Sequence, residues 1–250
     1  MGKNTIDILG IKIDNIQQSD VFGIVNAAVS NNEQIHLEGV NASKIVDMQE
    51  DQALRDSVNN SNLITADGQS VIWASKILGQ PLKGRLAGID LMYKLVDMAH
   101  KKGYKIFLFG AKEEVVKKVI DIYSETYGSE IIAGYRNGYF KKEDEPQIAK
   151  QIADSGAHML FVGITSPIKE NFLHENKETL QNVNLIMGVG GSFDVISGKV
   201  KRAPIWMQKT GLEWFYRVLQ EPKRMWKRYL VGNSKFIWLV LKEKMSGTKA

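Results

Sequence analysis

The sequence predicts an α/β fold: a mostly parallel sheet with helices on both faces, followed by a small helical appendage at the C-terminus. Three observations carry that expectation. Short apolar runs alternate with amphipathic stretches of helical length, most regularly from Lys105 to Gly191, a Rossmann-like series of βα units. The runs end in Gly, Asn or Asp, the residues of tight turns at strand ends. Composition shifts once, near Lys199: from there to Ala250 stand 13 Lys/Arg against three Asp/Glu, with Trp206, Trp214, Trp226 and Trp238. Because the whole chain is +5, residues 1–198 carry −5. We therefore divide the chain into a body, 1–198, and a basic, aromatic-rich appendage, 199–250.

In order along the chain, Ile6–Asp14 reads as two short strands around Gly10, a hairpin at the sheet edge. Ser19 is placed to cap a helix reaching about Ser30. Gln34–Glu38 is a strand, Gly39–Ser43 a loop, and a helix follows. Asn62–Thr65 is a strand that stops at Ala66-Asp67-Gly68, before a helix over Ser70–Leu78. After a loop at Gln80–Gly88, Asp90 can cap a helix over Leu91–Lys101. Beyond it come strand Lys105–Gly110, helix Lys112–Tyr123, a strand from Glu130, and helix Glu143–Ala153. Strand His158–Gly163, a helix from about Lys169, strand Asn184–Gly188 and the loop Val189–Asp194 complete the body.

Composition narrows the classes. Apolar residues at 44% and charged residues at 24% are ordinary for a globular domain. With no cysteine there is no disulfide, thiolate metal site or cysteine nucleophile. The first residues lack the apolar core of a signal peptide. The run Phe236–Leu241 is far short of the roughly 20 residues that span a bilayer. A basic, aromatic-rich end beside an acidic body suits an anionic membrane surface; nucleic acid is the rival, without a recognised motif to support it.

In open α/β sheets ligands lie at the carboxyl ends of the strands. The loops at Asn41, Asp67, Gly110, Gly163 and Gly188–Gly191 qualify, and glycine there lets backbone approach a phosphate. Any one glycine alone is better explained by a tight turn. Gly188-Val-Gly190-Gly191 is only part of a dinucleotide fingerprint, and no P-loop is present. Asp67 follows a strand directly, so it reads either as a general base or as a cap for the helix from Ser70. Asp90 and Asp194 share that ambiguity, and Asp90 looks more like a cap. No Asp-x-Asp follows a strand, so the residues offer no divalent-metal clamp, and with the dinucleotide fingerprint incomplete no cofactor is expected. In the appendage, Arg217, Arg224 and Arg228 would share one helical sector, beside Trp214, Val218, Met225 and Tyr229, if Pro222 did not break the helix. A partly buried helix pair with a solvated basic face explains that composition equally well.

Longer motifs are more specific. Ala66-Asp67-Gly68, Gly84-Arg85-x-x-Gly88-x-Asp90-Leu91 and Phe107-Leu-Phe-Gly110 occur in order. They are followed by Gly188-Val-Gly190-Gly191-Ser-Phe193-Asp194-x-x-Ser-Gly198-x-x-Lys201-Arg202-Ala203-Pro204 and Gly211-Leu-Glu-Trp214-x-x-Arg217-x-x-x-Glu221-Pro222-x-Arg224. From about Asp7 to Tyr229 the chain resembles the WecG/TagA/CpsF glycosyltransferases. The resemblance implies an inverting enzyme that moves a sugar from a UDP-sugar to an undecaprenyl-diphosphate-linked acceptor. Members add N-acetylmannosamine, its uronic acid or other hexoses while building wall teichoic acid, enterobacterial common antigen or exopolysaccharide. It also implies a Rossmann-like core, an appendage that aids membrane association and completes the active site, and no general need for metal.

By this resemblance Asp67 aligns with the base, and Arg202, Arg217 and Arg224 fall where appendage arginines contact a diphosphate. The implied donor lies across the strand ends near Gly110, Gly163 and Gly190. Asn41, Asp90, Glu170, Gly188 and Phe193 belong to the same substrate-binding set, and Arg85 and Lys169 are expected to neutralise diphosphate charge. Two positions depart from the family pattern: Gly39 stands where Thr is frequent in Thr-x-Asn, and Lys169 where Gln is frequent in Pro-x-Gln-Glu. Both sit where sugar or acceptor is recognised, so they leave the reaction class intact and the transferred hexose open. The expected location is the cytoplasmic face of a bacterial plasma membrane, as a peripheral protein. The expected partners are the two substrates and the anionic membrane, with no nucleic acid and with room for a homo-oligomer. The contrasting expectation is a non-catalytic module that binds a nucleotide-sugar or nucleic acid and releases no UDP.

Overall fold

The computed structural model describes residues 4–247, apart from the side chains at 224, 227 and 228. Six parallel strands form the central sheet: β3 (Ile35–Val40), β4 (Leu63–Ala66), β5 (Ile106–Gly110), β6 (Ile132–Arg136), β7 (Met159–Gly163) and β8 (Leu185–Gly188), in the order β4-β3-β8-β7-β5-β6. The first and last of these, β3 and β8, lie side by side, second and third in that order. From there the chain runs to β4 on one side and reaches the other strands on the other, which opens a crevice at their carboxyl ends.

Alternation along the strands builds two core layers. Ile106, Leu108, Met159, Phe161, Leu185 and Met187 point to one face, against α1 (Gln18–Asn31), α5 (Gly88–Lys102) and α6 (Glu113–Tyr127). Their neighbours Phe107, Phe109, Leu160, Val162 and Ile186 point to the other, against α7 (Glu145–Asp154) and α8 (Ile168–Glu175). With both faces covered, these strands carry apolar residues at nearly every position, which is why they were legible. A third apolar cluster gathers β1 (Thr5–Ile8), β2 (Ile11–Asp14), α2 (Ala42–Asp47), α3 (Gln52–Asn59) and α4 (Gln69–Ile77). It also receives Phe236 and Val240 of the last helix.

Several expected details are corrected. The hairpin β1–β2 is a two-stranded sheet of its own rather than an edge of the main sheet. It is tied to edge strand β4 where the Ile64 N–H donates to Asp14 Oδ2 at 2.8 Å. Ser19 does not cap α1. Asp20 reaches back one turn to accept the Gln17 N–H at 2.8 Å, which makes Gln17 the cap. Asp90 is likewise no cap: α5 starts at Gly88 after Ala87, and Asp90 lies in its first turn. The strand expected from Glu130 begins at Ile132, after a 3-10 turn at Ser129–Ile131.

Beyond β8 the chain forms α9 (Ser192–Ile196), α10 (Ile205–Lys209), α11 (Glu213–Gln220), α12 (Pro222–Trp226), a π-helical turn (Lys227–Val231) and α13 (Gly232–Gly247). Pro222 does interrupt the helix and begins the next one, the position where its missing N–H costs nothing.

Candidate active site

The strand-end loops converge on one cavity of about 1560 Å³. Single small-ligand pockets run to ~300–1,000 Å³, so this one has room for two substrates. The body lines it with Asn41, Asp67, Arg85, Gly163, Lys169, Glu170, Gly188, Gly190 and Phe193, and the last quarter of the chain adds Arg202, Arg217, Tyr229 and Phe236. Asp90 and Gly110 do not line it. Asp90 faces a smaller neighbouring pocket, and Gly110 is covered by the Gly163 backbone. The side chain of Arg224 lies outside the described residues.

Asp67 follows β4 without a spacer. Its Oδ1 accepts the N–H of Gly88 at 2.9 Å, the first residue of α5, so the positive end of a 15-residue helix faces the carboxylate. Helix α4 is capped by Gly68, so Asp67 is not its cap. Among the described residues nothing donates to Oδ2, which leaves one carboxylate oxygen without a partner. A Cβ at Gly39 would stand 3.3 Å from the Asp67 Cβ, so glycine there leaves open space beside the carboxylate. Asn41 caps α2 by accepting the Lys44 N–H at 3.2 Å and presents its amide at the cavity wall.

The arginines divide into paired and unpaired. Arg85 donates from Nε to the Asp67 carbonyl at 2.7 Å and from Nη2 to Glu213 at 2.7 Å. Arg202 grips Asp90 with two bonds of 2.6 and 2.7 Å and reaches Glu213 at 3.4 Å. Among the described residues, Arg217 pairs with no carboxylate, and its Nη2 would lie 2.8 Å from a Cβ at Gly191. It is thus an uncompensated guanidinium against the glycine loop.

Lys169 behaves differently from the expected diphosphate contact. It is 4% exposed, and its ammonium binds both oxygens of Glu38 at 2.7 and 2.6 Å. Lys44 bonds the same carboxylate and also Glu170, the latter at 2.8 Å. Two cations and two carboxylates are thereby buried under the β3–β8 seam. The Lys169 ammonium presses against Gly188, leaving no room there for a side chain. Burial alone would push the Glu38 carboxyl up, but the ammoniums of Lys169 and Lys44 hold it well below the usual range. Glu170 is shifted down by the same balance, and the carboxylates outweigh burial to raise Lys44. Glu170 Oε2 has no partner among the described residues.

Phe193 is 1% exposed and packs its ring on Gly163, where a Cβ would come within 2.8 Å of it. It shapes the cavity wall from within the core. The reading of the sequence missed Glu38, Lys44 and Glu213. Glu38 had a signal, a charge inside an apolar parallel strand, and Glu213 stood inside the quoted Gly211-Leu-Glu-Trp214 motif.

Fold and site together define a doubly covered parallel α/β protein with a large crevice at its switch point, where such sheets bind their ligands. The glycosyl transferase WecG/TagA/CpsF family matches residues 6–250. The chain belongs to that family. It is 43% identical over 188 residues to the N-acetylglucosaminyldiphosphoundecaprenol N-acetyl-beta-D-mannosaminyltransferase of Bacillus subtilis (strain 168), covering 75% of this chain and 72% of the relative. The protein of the same name from Bacillus spizizenii is 38% identical over 192 residues, or 77% and 73% of the two chains. The one from Staphylococcus aureus (strain MW2) is 33% identical over 251 residues, covering 98% and 95%.

Proposed function

We propose that this protein transfers a hexose, N-acetylmannosamine or a close relative, from a UDP-sugar to an undecaprenyl-diphosphate-linked saccharide with inversion, in the assembly of teichoic acid or another cell-surface polymer. The relatives' names supply the acceptor class and the transferred sugar. The observation that carries the chemistry is the Asp67 carboxylate, fixed at Oδ1 and open at Oδ2 on the wall of a cavity large enough for both substrates.

In this reading Asp67 takes the proton of the acceptor hydroxyl. The hydroxyl oxygen forms a bond to the anomeric carbon from the face opposite the UDP, the carbon–oxygen bond to UDP breaks, and UDP leaves with the electron pair. Charge develops on the leaving diphosphate, and Arg217 beside Gly191, without a carboxylate partner among the described residues, is a cation placed to receive it, with Arg224 following it in sequence. Arg85 and Arg202 contribute only N–H groups not held by Glu213 and Asp90. Lys169 supports the loop from below. The protein works at the inner face of the plasma membrane, where the lipid-linked acceptor is held.

The test is Asp67→Asn assayed by UDP release with a panel of UDP-sugars and a short-chain diphospholipid acceptor. Turnover should fall about 100-fold or more, as for loss of a general base, with donor affinity within about twofold because one oxygen of the group remains. Near-normal turnover would remove Asp67 from this role. Binding without any UDP release in the native protein would favour a non-catalytic module.

A further inference from the structure

Asp67 is held at two points, and both lead to the same appendage residue. Its carbonyl accepts Arg85 Nε at 2.7 Å, and the other end of that guanidinium bonds Glu213 Oε2 at 2.7 Å. Its Oδ1 is fixed by the first N–H of α5, at Gly88. In the first turn of α5, Asp90 holds Arg202 through two bonds of 2.6 and 2.7 Å, and Arg202 Nε reaches Glu213 Oε1 at 3.4 Å. The contacts close a ring: Asp67, Arg85, Glu213, Arg202, Asp90, and back along α5 to Asp67. Only Glu213 and Arg202 come from the last quarter of the chain. Glu213 is the first residue of α11, the helix that also carries Arg217. Arg85, Arg202 and Glu213 are each about one-fifth exposed, sheltered enough for their attraction to escape full screening by salt.

We propose that Glu213 is a positioning residue which couples docking of α11 to the orientation of Asp67, acting through Arg85. The inference rests on Asp67 being the base. Glu213 touches no reacting atom in this account; it joins two arginines that would otherwise repel one another. Undocking α11 removes Arg217 from the glycine loop and the brace from Asp67 in one movement. The base is therefore aligned only when the wall that binds the leaving group is in place.

The experiment compares Glu213→Gln, Arg85→Gln and the double variant by steady-state UDP release, together with amide hydrogen exchange over Ile205–Trp226. Glu213→Gln should lower kcat roughly 10- to 100-fold, the cost of a misplaced catalytic group, while donor KM moves by less than about threefold. The double variant should be no slower than Arg85→Gln alone, and exchange in α10 and α11 should quicken. Glu213→Asp keeps the charge but draws it back by one methylene, and it should fall between the native protein and Glu213→Gln. It also supplies the measurement if Glu213→Gln folds poorly. Native-like kcat in both Glu213 variants, or effects of the two substitutions that multiply, would overturn the proposal. If the native protein releases no UDP with any donor, the functional reading fails instead, and the clasp is judged by exchange alone: unchanged protection in Glu213→Gln would refute it.

Discussion

Lys169 shows how a cation in a site loop can be kept from presenting its charge to the cavity. Its cation is neutralised inside the protein, bonded to both oxygens of Glu38 and 3.3 Å from Glu170. Burying such pairs is costly, yet removing one partner is worse because it strands the other. Lys169→Gln should therefore destabilise the fold by about 3 kcal/mol, and adding Glu38→Gln should restore part of the loss; urea denaturation of the two variants measures both. The pH dependence follows from Glu38. Its folded value lies below its ordinary 4.5, so its contribution is complete above that pH and is lost as pH falls through the folded value. Acid should thus unfold the native protein steeply below about pH 4.5, and Lys169→Gln should flatten that dependence; midpoints of acid unfolding followed by circular dichroism test it.

At the scale of elements, α13 decides whether the C-terminal end is an attachment or part of the fold. Phe236 and Val240 are each 1% exposed and join the cluster of β1, β2, α2 and α4, while Ile237 and Trp238 between them face outward. Phe236→Ala should cost ~3–5 kcal/mol, as for a large core side chain, against under about 0.5 kcal/mol for Ile237→Ala; equal losses would mean that α13 is not docked. This docking was not legible in the sequence, because the apolar run Phe236–Leu241 looks the same whether its face meets protein or lipid. The central strands were legible because burial on both faces leaves an unbroken apolar run, whereas the hairpin's own small sheet follows from long-range packing that local patterning does not encode. Asp67 stood out as a strand-end carboxylate that reads as a base or a helix cap, and the start of α4 after Gly68 removes the second reading. Glu38 carried the signal of a charge inside an apolar strand and Glu213 stood in a motif, but the role of each comes from a partner more than a hundred residues away: Lys169 for the first, Arg85 for the second.

Over the whole molecule, basic charge and exposed apolar surface coincide. Among the described residues 16 large apolar side chains stand exposed, and 11 of them lie at or beyond Ile205, within the end of the chain, 199–250, that carries 13 Lys/Arg. No described helix is long and apolar enough to cross a membrane. A surface that partitions its indoles into a headgroup region while its cations meet anionic lipid fits both facts. Cutting the segment away is a poor test, because it would also remove Phe236 and Val240 from the core. Trp206 and Trp238 are 61% and 58% exposed, so replacing both with Ser leaves the fold intact. At ~1 kcal/mol of transfer for each indole, the double variant should lose roughly 30-fold in partition to vesicles containing phosphatidylglycerol. The native protein should float with those vesicles at low salt, remain behind with neutral phosphatidylcholine, and be released as salt screens the lysines and arginines. Undiminished flotation of the double variant would mean that these indoles do not meet the lipid. Flotation of the native protein that ignores both salt and lipid charge would show that its basic residues do not drive binding to the membrane.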